Sequence, residues 1–234
     1  QELNNSESIE SNKKWFPCNK GGSFRKWYGN KEYLINWENN GFEIRNFKDE
    51  KGKLRSRPQN LGYQFYGHIG YSRISSSDTS FRYYSTGYMF TDSSSGIFNK
   101  DYLYLMGLLN TEIVKMMLPI INPTLNYQAG DIKRLPFILD VENKDNVDKL
   151  VNINLGISKL DWDMHETSWD FEKSPLLSNK VDGRVETAYE SYKFEVNERF
   201  TKLKENEEEL NRIFIGIYNL EDELTPEVSD RDIT

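Results

Sequence analysis

Residues 101 to 118 read DYLYLMGLLNTEIVKMML, and the fold class turns on this run. Leu105, Leu108, Leu109, Ile113, Met116 and Met117 fall near helical spacing behind Asn99 or Asp101 as a cap. That spacing predicts a buried helix, which Pro119 ends or bends. Upstream the period is different. Tyr33-Leu34-Ile35-Asn36-Trp37 and Phe42-Glu43-Ile44-Arg45 alternate with period two and are rich in aromatic and β-branched residues, which predicts strands. Asn39-Asn40-Gly41 between them is a tight-turn signal, because Asn and Gly tolerate positive φ. Residues 48 to 60 (KDEKGKLRSRPQN) form a long charged excursion, and the serine-rich stretches at 75 to 80 and 93 to 95 read as loops. Downstream, residues 122 to 137 (NPTLNYQAGDIKRLPF) read as turn, short strand and turn. A helical pattern resumes near Lys144, a longer helix is expected over Val185 to Leu210, and Leu210 to Leu224 is apolar enough to pack back on the body. The chain therefore reads as α+β, a β-rich irregular half followed by a helical support half. The expected segments are a polar, disordered lead at 1 to 12, a β-rich domain at 13 to 100, a helix plus turn and short strand joining the halves at 101 to 140, and a helical region at 141 to 234.

With 234 residues, 37% hydrophobic and 29% charged, the composition excludes disorder along the whole chain. No apolar run reaches the ~18 residues of a membrane span. Cys18 is the single cysteine, so no internal disulfide framework exists and a reducing, cytoplasmic setting is expected. The first residue is Gln1, which reads as a piece of a longer polypeptide. The net charge of -7 is unevenly spread: residues 13 to 82 hold 14 basic and 6 acidic side chains, whereas the second half is acidic. A basic segment on an acidic support points toward a polyanionic partner.

Catalytic and metal chemistry find few residues to use. His68, His165 and Cys18 are too few and too far apart in sequence for a zinc site. Asp161, Asp163, His165 and Glu166 cluster in DWDMHETSWDF, but Trp162, Trp169 and Phe171 in the same string favour a packing and helix-capping element over a ligand set. No nucleophile elbow, Walker loop or dinucleotide fingerprint is present, and no P-D followed by D/E-x-K pattern supports a magnesium nuclease. Gly21-Gly22 beside Lys20 reads either as a phosphate-cradling turn or as an ordinary one. The fuller signal is the interleaving of the Lys and Arg of residues 13 to 82 with Trp15, Trp27, Tyr28, Tyr63, Tyr66, Tyr71 and the adjoining Tyr83 and Tyr84. Such a mix suits nucleic acid, where cations neutralise phosphates and Arg, Asn and Gln pair with base edges; the aromatics serve equally as core. The excursion at 48 to 60 is either a solvated loop or a contact element.

Specific strings go further. KWFPCNKGGSFRKWYGNKEYLINWENNG at 14 to 41, RPQN at 57 to 60, LLNTEIVKMMLPIINPTLNYQAGDIKRLPF at 108 to 137, DWDMHETSWDF at 161 to 171 and LNRIFIGIYNLEDELTPEV at 210 to 228 resemble the C-terminal part of PglX-type adenine-specific DNA methyltransferases of BREX phage-defence systems. These are similar to the fused restriction-modification enzymes of type IIG. The resemblance implies recognition of a double-stranded DNA target in a bacterial cytoplasm, associated with the nucleoid through DNA. Methyl transfer to adenine would be performed by a preceding domain that holds S-adenosylmethionine and carries an N-P-P-Y type motif. Asn122-Pro123-Thr124-Leu125 is the nearest string and lacks the second proline and the aromatic, so this piece is expected to hold no cofactor and no catalytic residue. Residue type and charge nominate Lys20, Arg25 and Lys26 as phosphate anchors, and Lys53, Arg55, Arg57, Gln59, Asn60, Arg73 and Arg82 as candidates for base reading. Leu108 to Met117, Leu125 to Phe137 and Trp162 to Phe171 are expected to supply core and docking surfaces toward the parent's methyltransferase domain. The rival expectation is a protein-binding scaffold for other defence-system components, which gains if Arg25, Arg55, Arg57, Arg73 and Arg82 scatter instead of facing one cleft.

Overall fold

The computed structural model describes residues 10 to 74, 78 to 180 and 182 to 234. Most of the expected lead (residues 1 to 9) and part of the first serine-rich stretch (residues 75 to 77) lie outside them. The fold is α+β. Two three-stranded sheets fill the first hundred residues. In one, β1 (Trp15–Asn19) pairs antiparallel with β2 (Tyr33–Asn36) and parallel with β5 (Met89–Phe90). In the other, β3 (His68–Ser72) lies between β4 (Phe81–Tyr84) and β6 (Ser94–Ile97), antiparallel to both. Asn19 links the sheets. Its Oδ1 accepts from Gly21 N and Ser94 Oγ, and its amide reaches His68 Nε2 at 3.4 Å.

The turn at Asn39-Asn40-Gly41 forms with φ of 50°, 57° and 68°, but residues 42 to 45 after it are helical, not a strand, and belong to α1 (Glu38–Arg45). A Cβ on Gly41 would stand 2.6 Å from the Trp37 ring, so the turn needs both the positive φ and the missing side chain. The tight fold-back points Ile44 into a small cluster with Phe16, Trp37, Phe65 and Met89, where a strand would have carried it away from them.

The run that decides the fold forms two helices. α2 (Tyr102–Leu109) and α3 (Glu112–Ile121) meet at an angle of 74° across Asn110-Thr111. Asn110 causes the break: its side chain pairs with the backbone of Phe81 in both directions, and Thr111 Oγ1 returns to Leu108 O. Pro119 sits in the last turn of α3, two residues before its end. Among the described residues, no single helix is long and apolar enough to cross a membrane. The short strand expected between 122 and 137 is reduced to an isolated bridge between Ile74 and Asn126, and α4 (Ala129–Ile132) comes next. α5 (Lys144–Asp163), α6 (Pro175–Ser178) and α7 (Val185–Tyr218) complete the helical half. The long helix runs past Leu210 to Tyr218, so most of the expected closing segment is its continuation.

One core joins the halves. Trp27, Ile69, Tyr71 and Phe81 from the β half pack with Tyr104, Met106, Leu108, Val147, Val151, Leu210 and Phe214 from the helices. α5 approaches α2 closely at Gly107, where a Cβ would meet Val147 Cγ1 at 2.9 Å. Residues 13 to 100 therefore lean on the helices for part of their interior.

Candidate nucleic-acid interface

The ten basic and amide side chains nominated from the sequence separate into two groups. Arg82 is a correction. It lies on β4 opposite Gly70, 0% exposed, and its guanidinium donates to Ser23 O, Arg25 O, Ser80 Oγ and Ser72 Oγ. It fixes the 23 to 25 turn from inside, and it cannot reach a base. Lys26 is a second correction: its buried ammonium donates to Glu207 Oε2 at 2.7 Å, and Trp27 Nε1 donates to the other carboxylate oxygen at 2.6 Å. Burial pushes the Glu207 carboxyl up, opposed by Lys26 and the indole N–H. Such a carboxylate must be doubly partnered to remain buried.

Arg25 is also internally engaged. It pairs with Asp161 at the end of α5, donates to Tyr28 O and lies 5.1 Å from the Trp162 ring centroid. Arg73 is held by the carboxylate and carbonyl of Asp92. The Gly21-Gly22 amides are occupied as well, Gly21 N on Asn19 Oδ1 and Gly22 N on Ser72 Oγ, so this pair is a structural turn. Lys20 remains exposed, with its ammonium 4.6 Å from the Tyr33 ring centroid. His68 is buried and stacks on Tyr84; desolvation lowers its pKa to about 4, which makes it a neutral core histidine.

The second group is the excursion, and the structure gives it a shape. Phe47 to Arg55 form a hairpin: Arg55 N donates to Phe47 O, Asp49 N donates to Lys53 O, and Lys48 faces Leu54. Asp49 Oδ1 closes the turn by accepting from Lys51 N and Lys53 N, with Gly52 at φ 76°. Lys53, Arg55, Arg57, Gln59 and Asn60 are all exposed. The only carboxylate near them in an ion pair is Asp49, 3.9 Å from Arg55, among the described residues. The root of the hairpin is Ile44, which receives Phe47 N and packs into the small cluster around Trp37.

DWDMHETSWDF closes α5, and of the aromatics expected to pack there Trp162 does so while Trp169 is 64% exposed. Trp162 is buried, Asp163 accepts from Ser168 Oγ and Lys159, and His165 Nδ1 donates to Asp161 O. Asn122 is likewise committed: its Oδ1 accepts from Thr124 N and Oγ1, and its Nδ2 donates to Asn126 O and Asp131. Among the described residues, no group of three or more His, Cys, Asp or Glu side chains is placed to hold a metal ion.

Sequence reasoning missed Lys31. It is 4% exposed, with its ammonium 3.5, 4.9 and 5.5 Å from the ring centroids of Tyr28, Tyr88 and Tyr84. Burial, reinforced by Lys159, lowers its pKa to about 7 against the pull of Asp163 and Asp170. A Lys amid so many aromatics was the available signal.

These features sit in a chain homologous to one segment of adenine-specific methyltransferases. It is 39% identical over 240 residues to adenine-specific methyltransferase PglX of Lacticaseibacillus casei (strain Zhang), covering 99% of this chain and 20% of that protein. It is 34% identical over 221 residues to adenine-specific methyltransferase BrxX of Escherichia coli O9:H4 (strain HS), covering 92% of this chain and 17% of that protein. The chain thus spans about a fifth of the length of the curated relatives it matches. No protein-family model matches it.

Proposed function

We propose that this chain is the DNA target-recognition part of an adenine-specific methyltransferase of a BREX phage-defence system, and that it reads duplex DNA through the hairpin and the segment leaving it, residues 47 to 60. The observation that carries this reading is the contrast between the two basic groups. Arg25, Lys26, Arg73 and Arg82 are engaged within the protein, whereas Lys53, Arg55, Arg57, Gln59 and Asn60 project together into solvent on one hairpin and its exit. Lys and Arg there neutralise phosphates, and Arg57, Gln59 and Asn60 supply the side-chain types that pair with base edges. The transfer of the methyl group from S-adenosylmethionine would belong to the remainder of the parent. Asn122, in the string nearest to a catalytic motif, already uses its amide internally.

Fluorescence anisotropy with a random duplex pool tests the reading. Binding should weaken steeply between roughly 50 and 200 mM salt, and Arg55→Ala with Arg57→Ala should lower the slope of log K against log salt by about 2, near 0.9 per phosphate contact. An unchanged slope sinks the assignment to the hairpin.

A second reading, a scaffold for other parts of the defence system, is favoured by exposed apolar side chains on other elements. Leu177 on α6 and Val185, Tyr189 and Phe194 on the first half of α7 are exposed. Tyr189→Asp with Phe194→Asp should then weaken association with the other components of the defence system in calorimetry while leaving DNA binding intact.

A further inference from the structure

We infer that Phe47 is a wedge that inserts between stacked base pairs where the basic hairpin meets DNA, an inference that deepens the recognition reading above and rests on it. Phe47 is 60% exposed, and the charge around it sets it apart from the other exposed rings of this chain. Between residues 42 and 57 stand six basic side chains (Arg45, Lys48, Lys51, Lys53, Arg55, Arg57) against three acidic ones. That excess disfavours a basic or purely apolar partner and complements a polyanion.

The hairpin register places the ring. Lys48 and Leu54 face each other, Arg55 N reaches Phe47 O, and Asp49 N reaches Lys53 O. Alternation along both arms then puts Phe47, Asp49, Lys53 and Arg55 on one face, with Asp49 3.9 Å from Arg55. The ring thus shares its face with two cations and one carboxylate, a net positive surface, so phosphate contacts made by Lys53 and Arg55 would press it toward a base step. Apolar wedges flanked by Arg and Lys act this way: the ring partly unstacks a step, and the duplex bends around the protein. The mount is rigid enough to do it. Phe47 N donates to Ile44 O, Asn46 Nδ2 donates to Phe42 O, and Ile44 is anchored in the cluster with Phe16, Trp37, Phe65 and Met89. Phe42, 62% exposed, stands at the other end of the same short turn.

The test is permanganate oxidation of thymines in a random duplex pool saturated with the 234-residue chain, since permanganate attacks thymines that have lost their stacking neighbours. The wild-type chain should raise thymine reactivity. Phe47→Ala should abolish that rise and weaken affinity about tenfold with the salt slope unchanged, whereas Phe47→Trp should restore it. Lys53→Ala with Arg55→Ala should do the converse, lowering the slope but keeping the reactivity at saturation. Full reactivity in Phe47→Ala overturns the wedge and leaves DNA recognition standing. Absence of salt-dependent binding by the wild type overturns both.

Discussion

Replacing Lys31 by Met should stabilise the chain near neutral pH and remove part of its dependence on pH. In the folded state the ammonium is enclosed by Tyr28, Tyr84 and Tyr88. The ring faces attract a cation, yet desolvation dominates and Lys159 adds to it, so the pKa falls from 10.5 to about 7. Asp163 and Asp170 favour the charged form, but both are already paired with Lys159. Between pH 7 and the ordinary value the unfolded chain holds a proton that the folded chain has released, so stability rises with pH across that window. Integrated from about pH 7 to 8.5, Lys31 contributes a rise of about 1.5 kcal/mol. At pH 7 the Met variant should be more stable by up to about 4 kcal/mol. The comparison stays below pH 9 because burial pushes the Cys18 thiol up to about 11, which gives an opposite slope above its ordinary 9.0. Urea unfolding followed by circular dichroism gives both free energies, with equal m-values required for the comparison. Lys31 helps to hold the His68 pKa down, so the comparison is made at pH 7 and above, where His68 is neutral in the folded state of both proteins. Parallel pH profiles for wild type and Lys31→Met would refute the reasoning.

Two more outcomes come from the interior. Glu207→Ala leaves the Lys26 ammonium and the Trp27 indole N–H buried without partners and should cost about 3 to 5 kcal/mol, read as a lowered urea midpoint. The Cys18 thiol should resist alkylation at pH 8 in the native chain and react at the rate of a free thiol in urea; equal rates in the two conditions would contradict its burial.

The helical half was legible where the period was long enough to average over exceptions. The change from period two to helical spacing at residue 101 and the long run from Val185 both appear as helices. The break at Asn110-Thr111 was not legible, because it depends on Asn110 pairing with Phe81, a neighbour 29 residues away. Phe42 to Arg45 alternate like a strand, and only the cluster that receives Ile44 decides for a helix. For the basic side chains, residue type gave no direction. Arg82 sits in Phe81-Arg82-Tyr83-Tyr84, where aromatics on both sides of the strand signal burial of both faces, and that signal outweighs the charge. Lys26 is hidden by a glutamate 181 residues away. The 48 to 60 excursion carried the cleaner signal, a dense run of charge with little apolar content, since such a run has no interior to enter.

The separation of the two hydrophobic clusters has a consequence for how this protein can change. The hairpin is rooted in the small cluster of Phe16, Trp37, Phe65 and Met89, while the β and helical halves are knitted together elsewhere by Trp27, Lys26, Glu207 and the large core. Transplanting residues 13 to 100 alone would strip, among the described residues, 13 of the 17 buried residues of that core and should give an insoluble graft. Exchanging residues 47 to 60 between relatives disturbs neither cluster. Variation is therefore cheap at the tip and expensive in the body, which makes the hairpin the natural unit to exchange when the proposed DNA reading is tested.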